Sequence, residues 1–415
     1  MQGMSGSLFR FPDIAASRAS ALLPTARHGA ADAGDRRAGG GSLMIFIDDL
    51  GATGVVRNAI ALATRLCAAG FVVEVAASCA QGALRGELDP RIRLTELLPS
   101  RWRTAPRPVR LARALLGLRR RLASEQPDLI LSAGNHGHLL TRLAASAAPR
   151  ARTIYRISND LDHARPGRLG RLGKIARTLQ FRLIAGHAAC LALVSPHLLQ
   201  HPLIAAAARR GKTRLIPNGV DLAMVAKRSE GPAPHPWLAE SNHPTVLTVG
   251  RLAPQKNIET LLAALAEARR SRPLRLIVLG DGTDKTRLRL RGRAEALGIA
   301  DAVAFVPAVP NPFPWMAHAA AFVLPSWWEG ASNVLLEALA CGRPIVASRT
   351  AGNAEEVLGS GRYGRLIDPA DVHGLAKALL DQTGATPIRP GARATAFSRN
   401  RALDEFAVLA VGLSR

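Results

Sequence analysis

The chain has 415 residues, 48% of them hydrophobic and 21% charged, a globular balance in a length that exceeds one hydrophobic core and predicts two domains. Its 55 Lys and Arg against 31 Asp and Glu give a net charge of +24, which favours anionic partners such as phosphate-bearing substrates or acidic lipid surfaces. Aromatic residues at only 4% argue against a nucleic-acid partner bound by base stacking, and no apolar run reaches the roughly 18 residues that cross a bilayer.

Residues 1–42 lack periodicity and end in Gly39-Gly40-Gly41-Ser42, so a disordered tail is expected, with Met44 as an alternative start. An apolar run at 43–47 leads into a turn carrying Gly51 and Gly54. A helix follows with Val56, Ile60, Ala63 and Leu66 on one face, and it stops at Gly70. Further strands are expected at 71–76, 128–132, 191–195 and 215–216, the last closing at Pro217-Asn218-Gly219. Strands alternating with helices predict a parallel sheet covered on both faces. Gly231, Pro232, Pro234, Pro236 and Pro244 mark a linker over 230–244.

A second alternation then begins, with strands at 245–249, 274–279, 302–305, 321–324 and 344–347 and helices between them. Residues 391–413 read as a last helix. The expected architecture is α/β: two doubly wound, Rossmann-like domains over 43–229 and 245–390 face each other across a cleft. Residues 391–415 pack back on the first domain. Ligands in such sheets bind at the carboxyl ends of the strands. Four scattered cysteines (Cys67, Cys79, Cys190, Cys341) suggest neither a disulfide framework nor a zinc site and fit a reducing compartment.

Two basic segments stand out in the first domain. Leu111, Leu115, Leu118 and Leu122 share one helical face, with Arg110, Arg113, Arg120 and Arg121 largely off it. Arg168, Arg171, Lys174 and Arg177 step by three, with Leu172, Ile175 and Leu179 behind them. The spacing predicts apolar faces against the core and charged faces in solvent, where an anionic membrane surface is an expected partner.

The segment Ser326–Glu356 holds the densest chemistry. Glu329 and Glu337 flank Gly330 and Asn333, with a strand before them and a helix starting near Ser332 or Asn333. Backbone N–H groups at that helix start can hold a phosphate, and the two carboxylates can accept hydrogen bonds from sugar hydroxyls. Upstream, Gly250 ends a strand, and Arg251 and Lys256 follow in a loop. A guanidinium fork and a point charge suit a diphosphate. Gly280-Asp281-Gly282 is a strand-end turn without the third glycine of a dinucleotide fingerprint. His136, in Asn135-His136-Gly137-His138, follows a strand end. It is a candidate for contact with acceptor or transferred sugar, or a loop residue. A metal on His136 and His138 would need carboxylates that the neighbouring sequence lacks.

The succession GRLAPQKNIETLL, LIVLGDG, FVPAVPNPFPWM and VLPSWWEGASNVLLEALACGRPIVA, with PNGVD upstream, resembles the family 4 retaining glycosyltransferases of GT-B fold over roughly residues 43–413. The resemblance implies that Arg251 and Lys256 hold the donor diphosphate. It implies that Glu329 contacts the transferred sugar and Glu337 the nucleotide ribose. Backbone at Asn333, Val334 and Leu335 would lie on the phosphates, Val306 would read the base through its main chain, and Gly51 would keep a close approach to the phosphate. The arginine usual after Gly51 is missing, and Gly330-Ala331-Ser332-Asn333 replaces the commoner glycine-aromatic-proline-asparagine.

By the same resemblance the activity is a metal-independent, retaining sugar transfer from a nucleotide-sugar, a UDP-sugar by preference, without a cofactor. The implied acceptor is a lipid-linked glycan or polysaccharide of the cell surface, met at the cytoplasmic side of the plasma membrane. Two alternatives stay open: an inactive GT-B scaffold, or another GT-B enzyme such as a sugar-nucleotide epimerase.

Overall fold

The computed structural model describes residues 41–51, 53–159, 171–240, 242–384 and 386–415. The expected tail, up to residue 40, and Arg168 lie outside them. The first sheet is built from β1 (Ser42–Ile47), β2 (Val72–Ala77), β3 (Arg93–Glu96), β4 (Leu129–Ser132), β5 (Arg152–Ile157), β6 (Cys190–Leu193) and β7 (Thr213–Leu215). Its seven strands are parallel in the order β3-β2-β1-β4-β5-β6-β7. Helices α1 (Gly54–Ala68), α2 (Arg107–Glu125), α3 (His138–Ala144), α4 (Arg171–His187) and α5 (Pro202–Arg209) cover it. Both faces are packed, Leu43 and Ile45 with the α1 side and Met44 and Phe46 with the α2 side, which is why the strands read as unbroken apolar runs.

Two short helices, α6 (Leu222–Ser229) and α7 (Pro236–Ala239), precede the second sheet. The prolines there predict an open linker, but Pro236 occupies the first turn of α7, where its missing N–H costs nothing. Val220, Val225 and Leu238 are buried with Phe313, Trp315 and Met316 in the second core. This stretch therefore belongs physically to the second sheet.

That sheet contains β8 (Thr245–Val249), β9 (Arg275–Leu279), β10 (Val303–Val306), β11 (Ala321–Leu324), β12 (Ile345–Ser348) and β13 (Arg365–Ile367). The order is β10-β9-β8-β11-β12-β13, again parallel. Helices α8 (Ile258–Ala268), α9 (Asp284–Ala296), α10 (Phe313–His318), α11 (Asn333–Ala340), α12 (Ala354–Val357) and α13 (Val372–Gln382) surround it. The last helix, α14 (Arg399–Ser414), returns to the first domain. There Phe406, Ala407 and Ala410 are buried with Leu62, Ala63 and Leu66 of α1. On its way it crosses the outgoing chain: Val220 N–H donates to Phe397 O at 2.8 Å and Arg399 N–H to Val220 O at 2.9 Å.

In each sheet the strand order reverses beside the first strand, between β1 and β4 and between β8 and β11. The crevices at those reversals, outside the carboxyl ends of the strands, are the natural ligand sites of such sheets. Here the two crevices press together. Gly330 is packed so closely on Ser158 O and the Asn159 Cα that a Cβ there would clash with backbone, and Ser195 Oγ donates to Gly352 O at 3.2 Å.

Gly330→Ala is accordingly expected to leave each domain folded while separating the two, since overpacking of this kind costs about 1–3 kcal/mol. Small-angle scattering should show a larger radius of gyration for the variant, and an unchanged profile would refute the tight seam. A second expectation concerns His138, the buried first residue of α3, with Nδ1 2.8 Å from Ser132 Oγ and edge-on to Tyr155. Burial holds its pKa near 3 against an ordinary 6.5. Below pH 6.5 the unfolded chain takes up a proton that the folded chain refuses, so stability falls as pH falls by up to about 1.4 kcal/mol per unit. Urea titrations at pH 5 and 7.5 should show this dependence, and His138→Asn should flatten it.

Candidate active site

The loop after β8 and the loop after β11 form one unit. Trp327 N–H donates to Gln255 O at 2.9 Å, and the Gln255 side-chain amide donates to Trp328 O at 2.8 Å. Asn257, in the left-handed region at φ 53°, donates its amide to Pro325 O at 3.1 Å and Pro369 O at 2.7 Å. These bonds fix Lys256 beside Glu329, with Nζ 2.6 Å from Oε1 and both side chains largely covered. Ser326 Oγ adds a second donor to the same carboxylate oxygen at 3.1 Å. The β9 loop closes the floor. Gly280, at φ +151°, lies against Gly250 O with no room for a Cβ, and its N–H donates to Val306 O at 2.9 Å.

Helix α11 starts directly behind this pair. Ser332 is its N-cap residue but makes no side-chain capping bond. The expected cap at Asn333 is absent as well, because that side chain reaches across the cleft: Asn333 Oδ1 accepts from Asn218 Nδ2 at 2.7 Å. With neither side chain capping the helix, the first-turn N–H groups, including those of Asn333, Val334 and Leu335, remain oriented for an external anion. One turn on, Glu337 is largely buried. Burial raises its carboxyl above the usual range, against the opposing pull of Arg57, Arg399 and Arg228.

Arg251 is exposed in the β8 loop and pairs with no other side chain among the described residues. The structure thus gathers Arg251, Lys256, Glu329, Asn333 and Glu337 on two adjoining loops and one helix. It treats three other expected residues differently. The Gly51 amide is occupied by its own Asp49 carboxylate at 2.9 Å, which places negative charge where a phosphate contact is expected. At the start of α1, Gly54 lies close against the second domain, where a Cβ would run into the Asn333 side-chain amide. Val306 ends the edge strand β10, and its carbonyl is engaged by Gly280. His136 lies exposed just after the carboxyl end of β4. Its neighbour Asn135 ties that loop to β5, with Oδ1 accepting from Ser158 N–H at 3.0 Å.

Sequence reasoning overlooked Arg156 and the role of Asn218. Arg156 is buried on β5, and its guanidinium donates to Asn218 Oδ1. Burial pushes its pKa down to about 10. An arginine inside a strand carries no motif, whereas Asn218 was visible in the PNGVD turn. Among the described residues no group of three or more His, Cys, Asp or Glu is placed to hold a metal.

Comparison with known proteins follows this division of the chain. The Glycosyltransferase Family 4 pattern matches residues 52–224, and the Glycosyl transferases group 1 pattern matches residues 243–382. A D-inositol 3-phosphate glycosyltransferase of Segniliparus rotundus is 36% identical over 146 residues, covering 34% of this chain and 32% of that protein. The N-acetylgalactosamine-N,N'-diacetylbacillosaminyl-diphospho-undecaprenol 4-alpha-N-acetylgalactosaminyltransferase of Campylobacter jejuni is 29% identical over 160 residues, 39% of this chain and 43% of that protein. The matched part thus spans less than half the length of these curated relatives. Among solved structures, Anabaena Alr3699/HepE in complex with UDP superposes with a TM-score of 0.70 at 20% identity, over 89% of this chain and 99% of that one. With both halves matched in order and the two parallel sheets of a GT-B fold, the chain belongs to the family 4, group 1 glycosyltransferases.

Proposed function

We propose that the protein transfers a sugar, with retention of configuration, from a nucleoside diphosphate sugar to a hydroxyl of a lipid-linked or polysaccharide acceptor in cell-surface glycan synthesis. The observation that carries this reading is the Lys256–Glu329 pair in front of the uncapped start of α11. A diphosphate entering there meets an ammonium, the guanidinium of Arg251 and a helix N-terminus. All three favour the negative charge that grows as the sugar–phosphate bond breaks. With the leaving charge met by these groups, the mechanism calls for neither a metal nor a cofactor.

The ammonium of Lys256 has three donors, so it can keep Glu329 oriented while adding a phosphate oxygen. Glu329 then accepts from hydroxyls of the transferred sugar, and Glu337 from the ribose. Retention requires that the acceptor oxygen arrive on the face from which the diphosphate leaves. The departing phosphate oxygen can therefore take the acceptor proton. A UDP-sugar is the preferred donor, supported by UDP in a protein of the same fold. The lipid-linked acceptor finds support in the undecaprenol-diphosphate named for one relative. Such an acceptor places the protein on the inner face of the plasma membrane; no described helix is long and apolar enough to cross it.

A thermal-shift panel of nucleotides and nucleotide sugars tests the donor site. Stabilisation by one nucleoside diphosphate class is expected, with Arg251→Ala weakening it about tenfold or more, as loss of a charge-assisted bond implies. Glu329→Ala should keep nucleotide affinity while lowering turnover by about a hundredfold or more. A folded wild type that no nucleotide stabilises would instead favour an inactive scaffold.

A further inference from the structure

Large apolar side chains left in solvent gather on the outer layer of the first domain. On α4 the row Ile175, Leu179, Leu183 is 55%, 52% and 54% exposed, while Phe181 and Ile184 on the opposite side are buried. The sequence predicts that Ile175 and Leu179 face the core. They face outward because Phe181 and Ile184 already fill the space over Tyr155 and Leu191. Helix α4 lies beside α3, and α3 beside α2. Helix α3 adds Leu143, 45% exposed. At the start of helix α2 every residue from Arg107 to Arg113 is exposed. Leu111, expected in the core with Leu118 and Leu122, is therefore outside it, beside Val109.

Cations border this apolar surface. Arg107 and Arg110 stand on the exposed start of α2, and Arg182 sits beside the α4 row. None of the three forms an ion pair among the described residues. We propose that the α2–α3–α4 face seats the protein on an anionic lipid bilayer. The α4 row enters the interfacial region and the arginines meet lipid phosphates. This assignment rests on the membrane-linked acceptor proposed above and names the surface that would serve it. A second copy of the chain fits less well, because a two-fold interface on this face would bring the same unpaired arginines together.

The topology gives the seat a purpose. Helices α2, α3 and α4 follow β3, β4 and β5 in the chain, so each starts near the carboxyl edge of the first sheet, which faces the second domain. A bilayer on this face lies beside the mouth of the cleft. A hydroxyl on a lipid-linked acceptor is held at headgroup depth, where the transferring site opens.

Co-sedimentation of the full chain with phosphatidylcholine vesicles, with and without phosphatidylglycerol, tests the assignment. Binding is expected on the anionic vesicles and about tenfold weaker or less on the neutral ones. Leu179→Ser/Leu183→Ser and Arg107→Gln/Arg110→Gln should each reduce it by about tenfold. These positions are exposed, so the melting temperature should stay near that of wild type. Equal binding to both vesicle types, or wild-type binding by the leucine variant, would overturn the proposal. So would a wild-type dimer in sedimentation velocity that the leucine variant dissociates. The readout needs no turnover. Vesicle binding without any nucleotide stabilisation would sink the transfer reading and leave the seat standing, and the converse result would do the reverse.

Discussion

Lys256 and Glu329 meet at 2.6 Å with most of their surface covered, and covering two charges costs several kcal/mol for each unless the other compensates it. Each of the two charges offsets the cost of covering the other. The loops that bring them together are consequently built without slack: two hydrogen bonds join Gln255 to Trp327 and Trp328, and the Asn257 amide nitrogen donates to both Pro325 O and Pro369 O. The second sheet supplies the reason these loops meet, since β8 and β11 are neighbours where its strand order reverses. An ion pair held by its backbone in this way offers a preformed field to an incoming anion, and preformed fields do not have to reorganise as charge develops.

The first domain contributes contact and aim. Asn218, polarised by the buried guanidinium of Arg156, turns Asn333 away from its own helix, which leaves the helix terminus uncapped. At Gly54 and Gly330 backbone from one domain lies against atoms of the other. The missing arginine of the first turn has no replacement at that position. Positive charge comes instead from Arg57 on α1, near enough to Glu337 to oppose the effect of burial on its carboxyl.

Much of this was legible in the residues because strong periodicity and turn chemistry coincide there. Apolar strands such as 245–249 and 321–324 declare themselves, and the paired glutamates and the Arg–Lys loop sit at strand ends. Strands β3, β5 and β13 escaped: RLTE and RTIYRI carry arginines in their apolar runs, one of which, Arg156, is buried for an interaction 62 residues away, and β13 is only Arg365–Ile367. The proline-rich stretch misled because a proline can open a helix as well as interrupt one. The direction of the α4 face was open to either reading. An aliphatic row at helical spacing looks the same whether the sheet or the solvent lies beneath it, and only the volume occupied by Phe181 and Ile184 decides. Gly51 illustrates another limit, since its amide is claimed by Asp49 only two positions away.

Helix α14 bears on how the protein is made. The core between β1 and α1 is closed by Phe406, Ala407 and Ala410, which leave the ribosome after the whole of the second sheet. During synthesis the first domain, though earlier in the chain, is left with an open apolar side until its partner is complete. The usual order, in which an N-terminal unit folds while the rest is still being translated, is thereby held back. Premature termination anywhere in the second half would release a chain whose first domain lacks its closing helix.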